Sequence, residues 1–377
     1  MTGNIVRIGI VGLGSWGTRA HLPAFSSLPD VEVVALADPN PEAGQAAAAL
    51  HQIDRVETDA LRLFRDPAGL DAVVVATPDD THRDLAIAAF DAGLHVLCEK
   101  PLAYTVEQAE EMVAAAERAG KVGKIGFLFR FSPVVTRMQQ LVREGLIGPV
   151  QLFEHVNVNA QFIDPNQPLH WKMTRLHAPG GVSVEYGSHT IDLALWLGGP
   201  LTRVVAHGVT LVPERPLLTG GTAPVDFEDL ASWIGEYATG GEALFRSGWA
   251  SLPVGTGGLR VYGPHGSLFW EQSGRRSERL LAVTLDDPEP RVLLEFEPPY
   301  DPALDDGPFP IGIYAHYNQR LAASFIADIR TGQASTPTFV DGLATQRVLA
   351  AVHTSMRERR WVDVHTDARV PLGLDAT

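Results

Sequence analysis

The sequence predicts an α/β protein in two parts: an N-terminal doubly wound parallel sheet, and a C-terminal α+β domain built on a large, mostly antiparallel, open-faced sheet. Three observations predict it. A G-x-G-x-x-G turn at Gly12, Gly14 and Gly17 follows a short apolar run through Ile8, Ile10 and Val11. Strand-like and helix-like segments then alternate as far as residue 125. From Val150 the rhythm changes to long strand-like stretches punctuated by turn residues. The boundary is therefore drawn between residues 1–125 and 126–377.

The glycine turn carries the most specific chemistry. Gly12 permits a tight strand-to-helix turn, Gly14 lets backbone approach a pyrophosphate closely, and Gly17 lets the following helix lie against the strand. Ser15 and Trp16 complete the turn, whose amides and helix end face an anion. A second apolar run, residues 31–37, ends in Asp38, which lies 24 residues after Gly14 and near the spacing of about 20 expected of an acid that binds ribose hydroxyls. Its charge would repel a 2′-phosphate, and residues 39–43 offer no Arg or Lys to hold one. These features favour NAD over NADP. An ordinary strand–helix turn and a helix cap would use the same residue types, but here strand, turn and acid come in the order that a dinucleotide requires.

The rest of the first part follows in order. A helix over 16–27 is shortened or kinked by Pro23, and an alanine-rich helix spans 41–50 after Asp38-Pro39-Asn40. The strand at 71–77 contains three successive valines, the pattern of a strand buried on both faces. It ends at Thr77-Pro78, a carboxyl-end loop where open α/β sheets bind ligands. A helix over 82–92 begins at His82, placed to touch a nicotinamide ribose; the strand 94–98 follows and leads into Glu99-Lys100-Pro101. Thr105 and Gln108 form a capping box, Ala109, Met112, Val113 and Ala116 supply an apolar stripe, and Gly120 ends that helix. After a strand at 121–128, Arg130 is placed to face cofactor or substrate, or to serve at a helix end.

In the second part, strands are expected at 151–159, 202–212, 229–237, 242–249, 280–285 and 292–296, with two more on either side of Gly263-Pro264-His265-Gly266. Residues 297–310 read as a Pro-rich loop, and helices over 314–330 and 340–357 close the chain. One face of so broad a sheet needs cover, which predicts a homodimer or homotetramer formed through it.

Composition excludes several classes. Over 377 residues, 45% hydrophobic and 20% charged content is that of a soluble globular protein. A net charge of −15 offers no basic face to nucleic acid or an anionic membrane. The single cysteine, Cys98, forms no internal disulfide and has no metal partner at ligand spacing, so no metal is expected. The N-terminus runs into the first strand without a signal core, so a cytoplasmic location is expected.

With Glu99-Lys100-Pro101-Leu102-Ala103 following a dinucleotide turn, and Gly180-Gly181-x-x-x-Glu185-x-Gly187-x-His189-x-x-Asp192 further on, the chain resembles the glucose-fructose oxidoreductase, inositol dehydrogenase and MocA-like oxidoreductases over essentially its whole length. The resemblance implies a Rossmann domain joined to an open-faced sheet domain, NAD or NADP as cofactor, and oxidation of a sugar or cyclitol hydroxyl. It also implies a cis peptide before Pro101, and cofactor contacts from Thr77, Pro78, Glu99 and Lys100. Lys100 matches the family's active-site lysine and His189 its histidine. A histidine with a pKa near 6.5 suits a base for the hydroxyl proton, and a lysine suits a group that polarises the substrate oxygen, although the reverse assignment uses the same residues. Glu185 stands where the family often has Asp, leaving three roles open: binding substrate, orienting His189, or pairing with Lys100. Trp171, ahead of Gly180 with Lys172 and His177, could wall a sugar site. Two alternatives keep the cofactor: a redox-neutral glycoside hydrolase, and a noncatalytic NAD-sensing protein.

Overall fold

The structure, a computed structural model, describes residues 5–252, 257–273, 276–299, 302 and 311–365. The chain forms two compact units, Met1–Phe131 with Pro299–Leu343, and Ser132–Pro298 with Ala344–Thr377.

The first unit holds six parallel strands: β1 (Val6–Val11), β2 (Val31–Ala37), β3 (Arg55–Glu57), β4 (Ala72–Val75), β5 (His95–Cys98) and β6 (Gly123–Ile125). Their order is β3-β2-β1-β4-β5-β6, so the connections reverse direction between β1 and β4, the position where doubly wound sheets bind ligands. β4 shows why its valines are there: Val73 and Val75 enter the core on one face, with Ala86, Phe90 and Met112, while Val74 enters the core on the other, with Ile8, Ile10, Leu22 and Phe25. Ile8 and Ile10 belong to β1, and the other partners come from helices α1 (Leu22–Ser26), α4 (His82–Asp91) and α5 (Val106–Ala119); α2 (Pro41–His51) and α3 (Ala60–Arg65) complete the connections.

Local signals produced the element ends. Asn40 caps α2 through its side-chain oxygen, and Thr105 Oγ1 accepts from Gln108 N at 3.2 Å while Gln108 Oε1 accepts from Tyr104 N at 3.1 Å. Gly120 ends α5 at φ 60°. Two elements differ from expectation. The first helix starts as a wide π turn, Gly17–His21, before α1, with Pro23 in the first turn of α1, where its missing N–H costs nothing. β6 stops at Ile125, short of residue 128, because the chain bends at Gly126 around the Glu99 carboxylate; a Cβ there would lie 2.7 Å from Glu99 Oε1.

The division of the chain also departs from a single cut at residue 125. The helix Tyr314–Thr331 packs on the first sheet, with Phe325 edge-on to Phe25 at 6.3 Å and Leu321 in the same core. Phe339, which opens the helix Phe339–Glu358, meets Phe90 at 5.6 Å. Lys124 is fully buried and reaches Asp328 Oδ2 at 2.6 Å, Ser335 O at 3.0 Å and Ser335 Oγ at 3.1 Å, fastening this returning segment through an ammonium solvated by protein groups. The expected loop 297–310 lies for the most part outside the described residues.

The second unit is organised on a nine-stranded sheet. Its strands are β7 (Leu152–Val158), β8 (Leu201–Val209), β11 (Leu230–Tyr237), β12 (Glu242–Gly248), β13 (Gly257–Gly263), β14 (Gly266–Ser273), β15 (Ser277–Thr284), β16 (Arg291–Phe296) and β17 (Val362–Asp363); β9 (Glu214–Pro216) and β10 (Thr222–Pro224) pair apart from it. The order is β16-β15-β14-β13-β7-β12-β11-β8-β17, antiparallel except for β7 beside β12. Alternation divides the sheet. One cross-strand row, Trp233, Phe245, His155, Leu259, Trp270 and Leu280, is buried beneath α6 (Pro133–Arg143), α7 (Val182–Glu185) and α8 (Gly187–Gly198). The neighbouring row, Ile234, Leu244, Glu154, Arg260, Phe269 and Leu281, points to the other face and is only half-buried. Among the described residues no helix is long and apolar enough to cross a membrane.

His155 is the polar exception in the buried row. It is 5% exposed, its Nδ1 has no hydrogen-bond partner among the described residues, and burial lowers its pKa to about 4. The unfolded chain, with a histidine pKa near 6.5, therefore binds this proton first as the pH falls. The group's contribution to stability is complete above pH 6.5 and is lost on descent toward 4, at about 1.4 kcal/mol per pH unit. Urea unfolding at pH 7.5 and pH 5.0 tests this. The wild type should lose about 2 kcal/mol more than His155→Leu over that interval; equal losses would show that His155 does not stay neutral in the fold.

Candidate functional site

In the first unit, the three turn glycines have distinct steric reasons. Gly12 sits at φ +91°, and a Cβ would lie 2.4 Å from Ala76 O; a Cβ on Gly17 would lie 2.0 Å from Gly12 O. Both are required for strand, turn and helix to close. Gly14 is exposed and a Cβ there would meet nothing within 4 Å, so its bareness serves something outside the chain. Ser15 beside it is exposed as well. This open cradle fits a pyrophosphate.

Asp38 closes the turn from the end of β2. Its Oδ2 accepts from Leu13 N at 2.7 Å and its Oδ1 from Asn40 N at 2.8 Å. Each oxygen retains acceptor capacity, so the same carboxylate can take ribose hydroxyls. At the end of β5, Glu99 is buried and turned toward the glycine turn: Oε1 accepts from Trp16 Nε1 at 3.0 Å and lies 2.8 Å from His21 Nε2, while Oε2 accepts from the Lys100 amide at 3.1 Å. The Lys100-Pro101 peptide is cis, and the Lys100 side chain is half-buried. At the end of β4, Thr81 Oγ1 donates to the Pro78 carbonyl at 2.7 Å and lies 2.6 Å from Thr77 Oγ1.

His82 is a correction. The ring has no exposed surface, with Nδ1 2.9 Å from Pro101 O and Nε2 3.0 Å from Thr77 O, so it braces the two loops from behind instead of touching a ribose. Burial lowers its pKa, opposed by these carbonyls. Arg130, 6% exposed, pairs with Asp341 Oδ1 at 2.9 Å; Asp341 also accepts from the amide of Thr338 at 2.7 Å. The structure thus gathers Gly12, Gly14, Ser15, Trp16, Gly17, Asp38, Thr77, Pro78, Glu99 and Lys100 about the carboxyl ends of β1, β2, β4 and β5. Sequence reasoning missed His21, whose partner is 78 residues away and left no local signal.

In the second unit, α7 carries Glu185 at its end and α8 carries His189 and Asp192, both buried and one helical turn apart. Gly187 lets α8 lie on the sheet, since a Cβ would approach Trp233 to 3.0 Å. Glu185 Oε2 pairs with Lys172 Nζ at 2.5 Å, and that ammonium lies 5.4 Å from the Trp171 ring centroid. Both charged side chains keep partial exposure, 22% and 25%. His170 precedes them; its Nδ1 accepts from Lys172 N at 3.3 Å, and burial, aided by Lys172, lowers its pKa to about 4. Tyr186 OH donates to Gln161 Oε1 at 2.5 Å, holding the segment between the helices. Trp171, Lys172 and Glu185 form one group here, an ion pair beside an indole that their positions in the sequence do not announce.

A parallel sheet with this glycine cradle and ribose-side acid, joined in one chain to an open-faced sheet domain, defines an NAD-binding oxidoreductase. Residues 6–127 match the oxidoreductase family described as having an NAD-binding Rossmann fold, and residues 135–269 match the GFO/IDH/MocA C-terminal domain; the chain belongs to the Gfo/Idh/MocA oxidoreductases. It is 29% identical to levoglucosan dehydrogenase of Pseudarthrobacter phenanthrenivorans, over 95% of this chain and 98% of that one. It is 26% identical to inositol 2-dehydrogenase of Rhizobium meliloti, over 95% and 99%. A solved structure of levoglucosan dehydrogenase with NADH and levoglucosan superposes with a TM-score of 0.85 at 28% identity, covering 96% of this chain and all of that one.

The cradle gives a direct test. The Cβ added by Gly14→Ala meets no atom of the fold within 4 Å, so the melting temperature should hold within about 2 °C while NADH, titrated by fluorescence, binds at least about tenfold more weakly. Unchanged NADH affinity would place the pyrophosphate elsewhere.

Proposed function

We propose that this protein is an NAD-dependent dehydrogenase that oxidises a secondary hydroxyl of a sugar or cyclitol. The observation that carries the reading is similarity over 95% of the chain to two dehydrogenases, one named for a sugar anhydride and one for a cyclitol. Supporting it, the chain keeps Lys100 at the end of β5, and His189 and Glu185 on the adjoining helices α8 and α7. When bound, NAD supplies the hydride acceptor.

The chain's own residues handle orientation and protons. His189 takes the hydroxyl proton, as an imidazole does well near neutral pH. Lys100 suits a charge-assisted hydrogen bond to a substrate oxygen, which stabilises negative charge developing on it. Its backbone is set by the Glu99 carboxylate, which accepts from its amide. Glu185 accepts from a further substrate hydroxyl while Lys172 holds its carboxylate, and Trp171 offers an apolar surface to a sugar face. Asp38 accepts from the adenosine ribose and selects NAD over NADP. The half-buried sheet face, with Ile234, Leu244 and Phe269 in one row and Val156 40% exposed in the next, is covered by a second copy, giving a homodimer or homotetramer.

Absorbance at 340 nm with NAD or NADP and a panel of sugars, inositols and glycosides tests the reaction. NADH should accumulate with NAD and one class of polyol; release of product from a glycoside at flat absorbance would replace the dehydrogenase by a redox-neutral hydrolase, and silence throughout would leave a binding protein. In the same assay Lys100→Met should lower kcat by at least about a thousandfold with NADH affinity changed less than about threefold. Turnover surviving in that variant would remove Lys100 from the chemistry.

A further inference from the structure

A buried polar cluster in the second unit lies directly behind the segment that carries Glu185 and His189. Glu228 is 8% exposed and Ser183 fully buried. Glu228 grips the start of α7 three times: its main-chain oxygen accepts from Val182 N at 3.2 Å, and its Oε1 accepts from Ser183 N at 3.0 Å and from Ser183 Oγ at 2.5 Å. On the other side of that hydroxyl, His353 Nε2, from the helix Phe339–Glu358, stands 3.0 Å from Ser183 Oγ. Ser183 has one hydroxyl proton and gives it to Glu228, so His353 Nε2 must carry the proton of this contact and donate. The imidazole is thereby held in one tautomer.

The cluster also explains Gly180-Gly181. A Cβ on Gly180 would lie 2.6 Å from His353 Nε2, and one on Gly181 would lie 2.4 Å from Glu228 O. Each glycine therefore clears space for one arm of the cluster, and the pair is needed with no ligand in view. Burial lowers the His353 pKa; Glu228 opposes this, and Arg175 and Arg357 reinforce it. The ring is thus a neutral donor on one side of the Ser183 hydroxyl, and the Glu228 carboxyl group accepts on the other.

We propose that Glu228, with Ser183 and His353, is a clasp that sets the position of residues 180–189, and through them of Glu185 and His189. These are positioning residues: none reacts, but a displacement of about 1 Å at the groups they carry is enough to lower a rate severely. Glu185 lies two residues beyond the clasped Ser183 and is held from its other end by Lys172, so the carboxylate is located by two independent anchors. The catalytic consequence rests on the function proposed above; the clasp itself does not.

The full-length variants Glu228→Ala, Glu228→Gln and Ser183→Ala separate the two. Hydrogen exchange of peptides spanning residues 180–190 reads the clasp, and kcat, KM and NADH affinity read its effect on the reaction. Glu228→Ala should speed exchange in that segment at least about tenfold. It should also lower kcat at least about tenfold with NADH affinity unchanged within about twofold. Glu228→Gln, which keeps an acceptor oxygen for the Ser183 amide and hydroxyl, should recover most of both. Should Glu228→Ala fail to fold, Ser183→Ala, which deletes only the hydroxyl, is expected to show the same pattern at smaller amplitude. Unchanged exchange would overturn the clasp, and faster exchange with wild-type kcat would overturn its positioning role. A wild type that turns over no polyol, in a segment that still loosens, would overturn the dehydrogenase reading and leave the clasp standing.

Discussion

The nucleotide side of this protein depends on the burial of one carboxylate. Glu99 at the end of β5 is 7% exposed, and an anion so placed is costly unless its oxygens are occupied by donors. The fold provides them from three directions: Trp16 at the glycine turn, His21 in the π turn, and the Lys100 amide. The consequences spread outward. The turn that forms the pyrophosphate cradle is tied to the strand that delivers Lys100, and Gly126 must lack a side chain so that β6 can pass the same carboxylate. His82 performs the matching task with carbonyls, bracing Thr77 and Pro101 from beneath. Loss of the Glu99 carboxylate would therefore loosen the turn and Lys100 together.

The second unit solves a different problem. A broad sheet can hold side chains in register only if something packs on it, and α6, α7 and α8 lie over the row running from Trp233 to Leu280. α8 carries His189 into this apolar layer, where its 6% exposure leaves little freedom of motion. Glycine again marks the close approaches: Gly187 against Trp233, and Gly198 against the Tyr237 ring, where a Cβ would lie 2.4 Å away. A helix pressed this tightly to a sheet presents its polar side chains in fixed directions, as the base role proposed for His189 requires.

What was legible in the sequence was local or periodic. The Thr105–Gln108 cap and Gly120 act on neighbours a few residues away, and the glycine turn and the β4 valines are short contiguous patterns, so they could be read directly. The family resemblance then rested on Glu99-Lys100-Pro101 and on the spacing of Glu185 and His189. What escaped involved partners distant in the chain. An amphipathic stripe says that the helix Tyr314–Thr331 buries a face, but not that the face meets Phe25. His82 follows Thr77-Pro78 closely in sequence and reads as a ribose contact, yet its ring turns inward, with its two nitrogens against the Pro101 and Thr77 carbonyls. Lys172 and Glu185, His21 and Glu99, and Ser183 with Glu228 and His353 are pairings that only the packed chain creates.

Glu185 shows how one methylene changes a site without changing its charge. Where the family pattern often has Asp, the longer side chain reaches the Lys172 ammonium at 2.5 Å. A second cation could have stood beside it, but burial keeps His170 neutral, with its pKa lowered to about 4, so the carboxylate and the ammonium balance one to one. A balanced pair with partial exposure presents hydrogen-bonding atoms without a strong net field. That arrangement suits an uncharged polyol, whose hydroxyls can accept from the lysine and donate to the glutamate. An anionic substrate would gain from the lysine only what it lost to the neighbouring carboxylate. The same pair bears on reach: with its carboxylate drawn to Lys172 from one side and α7 clasped by Glu228 from the other, Glu185 offers its remaining lone pairs from a restricted set of positions. Under the proposed function, selectivity among polyols then depends on which hydroxyl can meet those positions.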